Sequence, residues 1–329
     1  MTIVTGTTTT FAVGSAGGLR EDLEDVIWDL FPEDTWMLTN LDKVDGAAAF
    51  HEWMGDNLQA AAANRQLEGD DAAFSAVNNA TRFGNYHQIS RKTFLISRTL
   101  EKVAKAGRKS EIARHSMKQM RELKRDMENA LVGNQASSAG GTATARSSGG
   151  LESWIASTDQ GGNGLRATTS SSASTVGFTS GTVTAPTDGT TTGTLQEAKF
   201  KEMFQLIWAQ GADPNTCLLG TTQKQNATTT FTGIATRFVN VGQQDQASVI
   251  SGVDWYVSDF GRHKLVLHRY IRASVVMAFE PDMLAVSFID RPFMEELAKT
   301  GDGRKMQLLA EYCLVVRNPK ATGKVAACS

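Results

Sequence analysis

Metal ligation, acid–base catalysis and phosphate binding each demand particular side chains at particular spacings, and this chain has the side chains without the spacings. His51, His87, His115, His263 and His268 stand alone, and no two histidines or cysteines fall at a metal-ligand interval. Cys217, Cys313 and Cys328 are odd in number and far apart, which reads as reduced, buried thiols made in a cytoplasm. The acidic pairs Glu295-Glu296 and Asp70-Asp71 are adjacent, so on a helix or strand they point apart and make poor acid–base partners. No serine sits in a G-x-S-x-G elbow, and no glycine pattern matches a dinucleotide turn. Gly301-Asp302-Gly303-Arg304-Lys305 looks superficially like a phosphate loop, but no helix follows it and it reads as a hairpin tip. The sequence predicts no catalytic residue, no cofactor and no metal.

Charge is where the sequence is eventful. The net charge of the 329 residues is only −2, which gives no whole-chain argument for nucleic acid or membrane. Yet Arg20 to Asp34 holds one base against seven acids, and Arg91 to Asp126 holds twelve bases against four acids. Such segregation lets one segment seek another, within a chain or between copies. The basic face of residues 110–132 (Arg114, Lys118, Arg121, Lys124, Arg125) has a second reading, as a binder of phosphate backbones. No aromatics are interleaved for base stacking, so the reading preferred here is a solvated face or one that meets the acidic segment.

Those charges need elements to hold them. Ser110 can cap a helix whose apolar residues Ile112, Ala113, Met117, Met120, Leu123, Met127, Ala130 and Leu131 recur at three- and four-residue steps. Gly133 is expected to stop it in a left-handed conformation. This strut of roughly 34 Å, at ~1.5 Å per residue, needs a sheet to lie on. Before it, residues 1–18 read as an extended arm, and Leu19, Leu23, Val26, Ile27 and Leu30 mark an amphipathic helix ended by Pro32. Thr35–Leu41 and Ala48–Met54 read as short extended pieces anchored by Trp36, Phe50 and Trp53. From Gly55 to Ser90 the composition fits a long hairpin that projects from the body, and a strand follows over Gln88–Ser97.

After the strut, Ser, Thr and Gly supply 36 of the 61 residues from Asn134 to Thr194, broken by one apolar patch, Leu151–Ile155. This is a linker composition or a β-rich excursion held by neighbours, with Asp188-Gly189 allowing a short hairpin. Thr194 and Glu197 form a capping-box pattern opening a second helix, with Leu195, Phe200, Met203, Phe204 and Ile207 as its stripe and Gly211 and Pro214 ending it. Strands are predicted over 216–219, 237–241, 253–258, 264–268, 274–279, 283–288 and 308–316, and a helix over 222–230. No apolar run approaches the ~20 residues that would span a bilayer, and the first residues lack the pattern of a signal peptide.

This order of parts resembles the major capsid proteins of tailed bacteriophages with the α+β Hong Kong 97-type fold. The runs N-R-Q-L-E-G-D-D (64–71), E-L-K-R-D-M-E-N-A-L (122–131), D-F-G-R-H (259–263) and T-G-D-G-R-K-M-Q-L-L-A-E-Y-C-L-V-V-R-N-P-K-A (300–321) resemble those of one family of such head proteins. The resemblance runs from about residue 19 to the end and is weakest in the Ser/Thr/Gly segment. It implies an N-terminal arm (1–55) and an extended loop (56–91). It further implies a peripheral domain (92–214, with its spine helix at 110–132 and the excursion 134–194), an axial domain (215–283) and a return to the peripheral domain (284–329). Some relatives weld subunits through a loop lysine bonded to an asparagine. No lysine lies between Lys43 and Lys92, so noncovalent overlap is expected instead. Others carry a fused scaffolding domain, whereas here only about 55 residues precede the loop and a scaffold is expected to be a separate protein.

The function implied is a shell of pentamers and hexamers around double-stranded DNA, assembled in the host cytoplasm and carried in the virion. The partners implied are further copies of the chain, a portal, separate scaffolding or decoration proteins, and the DNA by nonspecific contact, with no membrane. Residues expected to meet across subunits are Glu21, Asp22 and Asp25 on the acidic helix, Arg65, Glu68 and Asp70 in the loop, and Arg114, Lys118, Arg121 and Arg125 on the strut. The alternatives are a host-encoded compartment shell of the same fold, a Ser/Thr-rich binding module, and a nucleic-acid binder using the strut.

Overall fold

In the computed structural model the run after Ser110 is one unbroken helix, Glu111–Val132. Ser110 Oγ accepts the Ala113 N–H at 3.2 Å and so fills one of the orphan donors of the first turn. The helix ends at Gly133, but with φ −64° and ψ 165°, so the expected left-handed stop is not used. Glycine is needed there for room: a Cβ would meet the Asn129 carbonyl oxygen at 2.8 Å.

The structure describes residues 34–56, 58–59, 61–69, 71, 74, 77, 79–104, 109–155, 164–166, 177–179, 182–188, 192–231 and 254–329. The predicted helix at 19–31 and strand at 237–241 lie outside them. In chain order the elements are helix α1 (Trp36–Asn40), strands β1 (Asp42–Asp45), β2 (Phe50–Gly55), β3 (Thr81–Tyr86) and β4 (Gln88–Ser97), helix α2 (Arg98–Lys102) and the strut α3 (Glu111–Val132). The excursion carries a 3-10 turn (Leu151–Trp154) and strands β5 (Gly164–Arg166), β6 (Phe178–Thr179) and β7 (Thr182–Val183). Then come α4 (Glu197–Ala209), β8 (Thr216–Leu219), α5 (Thr221–Thr230), β9 (Trp255–Ser258), β10 (Gly261–Leu267), β11 (Val276–Phe279), β12 (Leu284–Glu296), β13 (Gly303–Val316) and β14 (Thr322–Ala326).

Two mixed sheets organise these elements. The first has the order β1-β12-β13-β4, with β1 parallel to β12 and the rest antiparallel. The second has the order β5-β14-β11-β8-β10-β9. The strut lies on β4 and β13, whose alternate residues Ile96, Met306, Leu308, Ala310 and Tyr312 are buried beneath or beside it. One core joins the strut, the first sheet and one face of the second, through Leu123, Met127, Leu131, Leu308, Leu314, Met277 and Phe279. A second core lies on the other face of the six-stranded sheet, under α4.

Three further sequence expectations need correction. Thr35–Leu41 is largely helical rather than extended, because Glu128 accepts the Met37 and Leu38 N–H groups at 2.6 and 3.0 Å and caps α1 from across the fold. The capping box at Thr194 does not form. Gln196 is the N-cap, and Glu197 is taken up by Lys201 and the Tyr256 hydroxyl. The apolar stripe of α4 is buried and packs on the six-stranded sheet with β14. Finally, Asp188 opens no described hairpin. Its carboxylate is drawn into an ion cluster, and the short hairpin of the excursion is β6–β7. All three cysteines are free and buried.

Candidate assembly surfaces

The hairpin β2–β3 grows from a locked root. Trp53 Nε1 donates to the Val316 carbonyl at 2.9 Å, and its ring lies 5.4 Å from that of Trp154, which stacks on Phe178 at 5.2 Å. Asn85 is fully buried: its Nδ2 donates to the Leu314 carbonyl at 2.7 Å, and its Oδ1 accepts the Gly149 N–H and the Ser137 hydroxyl, each at 2.8 Å. Beyond this root the chain changes character. Leu58 is 98% exposed and Phe74 99%, and Leu67 and Val77 are also open to solvent. Apolar side chains held out in this way mark a surface that is completed by something else. Arg65 and Glu68 are exposed on the same excursion and make no ion pair among the described residues, while Asp70 lies outside them.

The strut is divided in the same manner. Its last third buries Leu123, Met127, Glu128, Leu131 and Val132, whereas Met117, on the same predicted stripe, is 62% exposed and Ala113 is exposed too. Its basic residues are mostly engaged locally. Arg114 pairs with Glu111 at 3.7 Å and Lys118 with Glu122 at 3.9 Å. Arg125 Nε donates to the Tyr270 hydroxyl at 2.8 Å, and Arg121 is exposed. Glu21, Asp22 and Asp25 fall outside the described residues.

Two buried charge clusters escaped the sequence reading. Glu128 and His268 are fully buried, with His268 Nε2 donating to Glu128 at 2.8 Å while the Tyr270 N–H donates to Nδ1 at 3.3 Å. One carboxylate thus gathers α1, the strut and the segment after β10. The second cluster joins Glu152 and Asp188 of the excursion to Arg272 and Lys324 of the second sheet region. Lys324 Nζ lies 3.1 Å from Glu152 and 3.5 Å from Asp188, and Arg272 reaches both carboxylates. Burial of two acids requires two bases beside them. The available signal was a lone lysine in the small and apolar run T-G-K-V-A-A-C, and a lone acid among the last apolar positions of the strut. No group of three or more metal-ligating side chains occurs among the described residues.

A family model described as SU10 major capsid protein matches residues 3–329. No curated protein matches the chain in sequence. Among solved structures, the cyanophage A-1(L) capsid is similar with a TM-score of 0.70 at 13% identity, covering 97% of this chain and 99% of that one. The capsid of a native GTA particle gives a TM-score of 0.64 at 9% identity, with 98% and 99% covered. The SrpI encapsulin of Synechococcus elongatus PCC 7942 gives 0.57 at 9% identity, with 96% and 95% covered. Likenesses at such low identity establish the fold, the Hong Kong 97-type capsid fold.

Proposed function

The chain belongs to the SU10 major capsid protein family, and we propose that its copies close as pentamers and hexamers of an icosahedral head around double-stranded DNA. Its role is structural, its partners include further copies of itself, and it is a component of the virion. The observation that carries the assembly reading is the β2–β3 excursion: four large apolar side chains, Leu58, Leu67, Phe74 and Val77, lie beyond a rigid root and stand in solvent. Shelter for them has to come from neighbours, and closed rings supply it at every position at once. Interfaces of this overlapping kind reach ~2,000 Å² or more per pair, enough to hold without covalent welds.

Of residues 1–55, α1, β1 and β2 are built into the chain's own body, so the arm across a neighbour is the stretch before them, and 56–91 act as the overlapping loop. The strut with its sheet forms the peripheral body, and the six-stranded sheet points to the ring centres. A portal and a separate scaffolding or decoration protein complete the head, the DNA is held by nonspecific contact, and assembly takes place in the host cytoplasm. The family model favours this over a cargo compartment of the same fold. Negative-stain microscopy of the expressed protein tests it: closed shells or tubes are expected, and a monodisperse monomer at high concentration overturns it.

A further inference from the structure

The two buried charge clusters differ in one respect that bears on chemistry. The Glu128–His268 cluster pairs one carboxylate with an imidazole, whereas the other sets a primary amine between two carboxylates. Lys324 is 2% exposed and Glu152 1%, and the Asp188 side chain is 10% exposed. Lys324 Nζ lies 3.1 Å from Glu152 Oε1 and 3.5 Å from Asp188 Oδ1. Arg272 donates through Nη2 to Asp188 Oδ2 and to Glu152 Oε1, and through Nε to Glu152 Oε2 at 2.9 Å. Each oxygen of Asp188 therefore faces a different base, Oδ1 the amine and Oδ2 the guanidinium. Rigid elements hold the amine and the second acid in place. Lys324 is on β14, an interior strand of the six-stranded sheet, and Glu152 is on the 3-10 turn, flanked by the buried Leu151, Trp154 and Ile155.

Keeping an ammonium and a carboxylate out of water is costly, and passing one proton from Lys324 to Glu152 makes that pair neutral. The amine so formed sits against the Asp188 carboxyl group, close to the separation from which oriented groups react. We propose that Lys324 and Asp188 condense to an intramolecular amide, with Glu152 as the proton carrier and Arg272 as the donor to the oxyanion. The Nζ–Cγ bond forms and the Cγ–Oδ1 bond breaks. Nζ begins with three protons and ends with one, and Glu152 relays the other two to Oδ1, which leaves as water. Oδ2 carries the negative charge of the tetrahedral intermediate and stays on Arg272 as the carbonyl oxygen of the product. The step is redox-neutral and needs no further reactant. It removes one ammonium and one carboxylate from the interior and leaves Glu152 with Arg272 as a matched pair. Arg272 also favours the ionic form of the cluster, so the neutral amine is a minor species and closure is slow beside folding. The freshly folded chain holds the ions, and the amide accumulates on standing. The bond ties the Ser/Thr/Gly-rich excursion to the six-stranded sheet. Both partners are interior residues of one chain, so it welds no subunits, needs no loop lysine and stands independently of the assembly reading.

Intact mass spectrometry of the full-length protein, followed over time after purification, tests the bond. Loss of one water, about 18 Da, is expected to grow with time, and a tryptic digest is expected to contain one branched peptide that carries Asp188 and an uncleaved Lys324. Mass alone does not decide, because Asp188 precedes Gly189 and can close on its own backbone with the same loss. A loss confined to the Asp188 peptide, with Lys324 still cleaved, overturns the proposal. So does an unchanged mass after prolonged incubation of the folded wild-type protein. Glu152→Gln is expected to slow closure about a hundredfold, and closure there at the wild-type rate overturns the relay. Lys324→Arg keeps the charge and is expected to abolish closure, and a branched peptide in that variant overturns the assignment of the amine. Asp188→Asn is expected to close with loss of ammonia in place of water, a change about 1 Da smaller.

Discussion

The loop beyond β2–β3 and the first part of the excursion after the strut have similar compositions, small and polar, and opposite fates. Among the described residues of 56–80, Leu58, Leu67, Phe74 and Val77 stand in solvent. Residues 134–155 are richer still in Ser and Gly, yet Ser148, Leu151, Glu152, Ser153 and Trp154 are buried. The difference lies in a few polar side chains that find partners inside the chain. Gln135 bridges Gln88 and the Ser148 carbonyl, Asn85 binds the backbone of Gly149 and Leu314, and Glu152 receives Lys324 and Arg272. Composition alone does not decide order; buried hydrogen-bond and charge partners do.

The comparison breaks most sharply at Glu152. Glu152→Ala leaves two cations, the buried Lys324 and the partly buried Arg272, sharing the single carboxylate of Asp188 and is expected to cost about 3–5 kcal/mol in urea unfolding of the unassembled chain. Lys324→Met made together with Glu152→Met should recover much of that loss; a single variant that costs less than 1 kcal/mol, by the ~1 kcal/mol of an ordinary hydrogen bond, removes the cluster as the anchor of the excursion. Next comes Asn85→Ala, which leaves the Gly149 N–H and Leu314 carbonyl unpaired in a dry site and is expected to cost about 2–3 kcal/mol by the same measurement.

A smaller effect concerns pH. Burial, and then the nearby His51, hold the His87 imidazole below its usual value of 6.5, so the fold favours the neutral ring. The unfolded chain then binds the proton more readily, and the stability this group contributes is complete above 6.5 and lost as pH falls below it. The unfolding midpoint is expected to be flat from about pH 7 to 8 and to decline toward pH 5, with a shallower decline in His87→Gln. Smallest of all is Phe74→Ser, within about 0.5 kcal/mol on the isolated chain because the ring touches nothing there. Its consequence should instead appear as fewer or less stable shells in sedimentation, which separates a side chain awaiting a neighbour from one that has merely been left outside.

Much of the framework was legible because it depends on period and punctuation. The strut from Ser110 to Gly133, the strand Gln88–Ser97, the helix stripe from Leu195 to Ile207 and the four-residue strand at Thr216 are local patterns, and the structure has all of them. Illegible were the features that join distant residues. The helix Trp36–Asn40 exists because of an acid 91 positions away from Met37, and no local propensity announces it. The Thr194 box failed because Glu197 found stronger partners in Tyr256 and Lys201 than the backbone of its own first turn. Of the candidate contact residues, Arg114 and Lys118 pair with acids three and four positions away on the strut itself, which the sequence reading did not weigh.

The run Gly303–Ala326 crosses the molecule without leaving its sheets: β13 carries the bonds of the four-stranded sheet, and after a turn at Pro319–Ala321 the same backbone becomes an interior strand of the six-stranded one. Its first strand alone reaches ~46 Å at ~3.3 Å per residue. A pull that separates the two sheets therefore loads this backbone in tension as well as the side-chain packing between them, and the ladders on either side of each strand resist it in shear, many bonds at once.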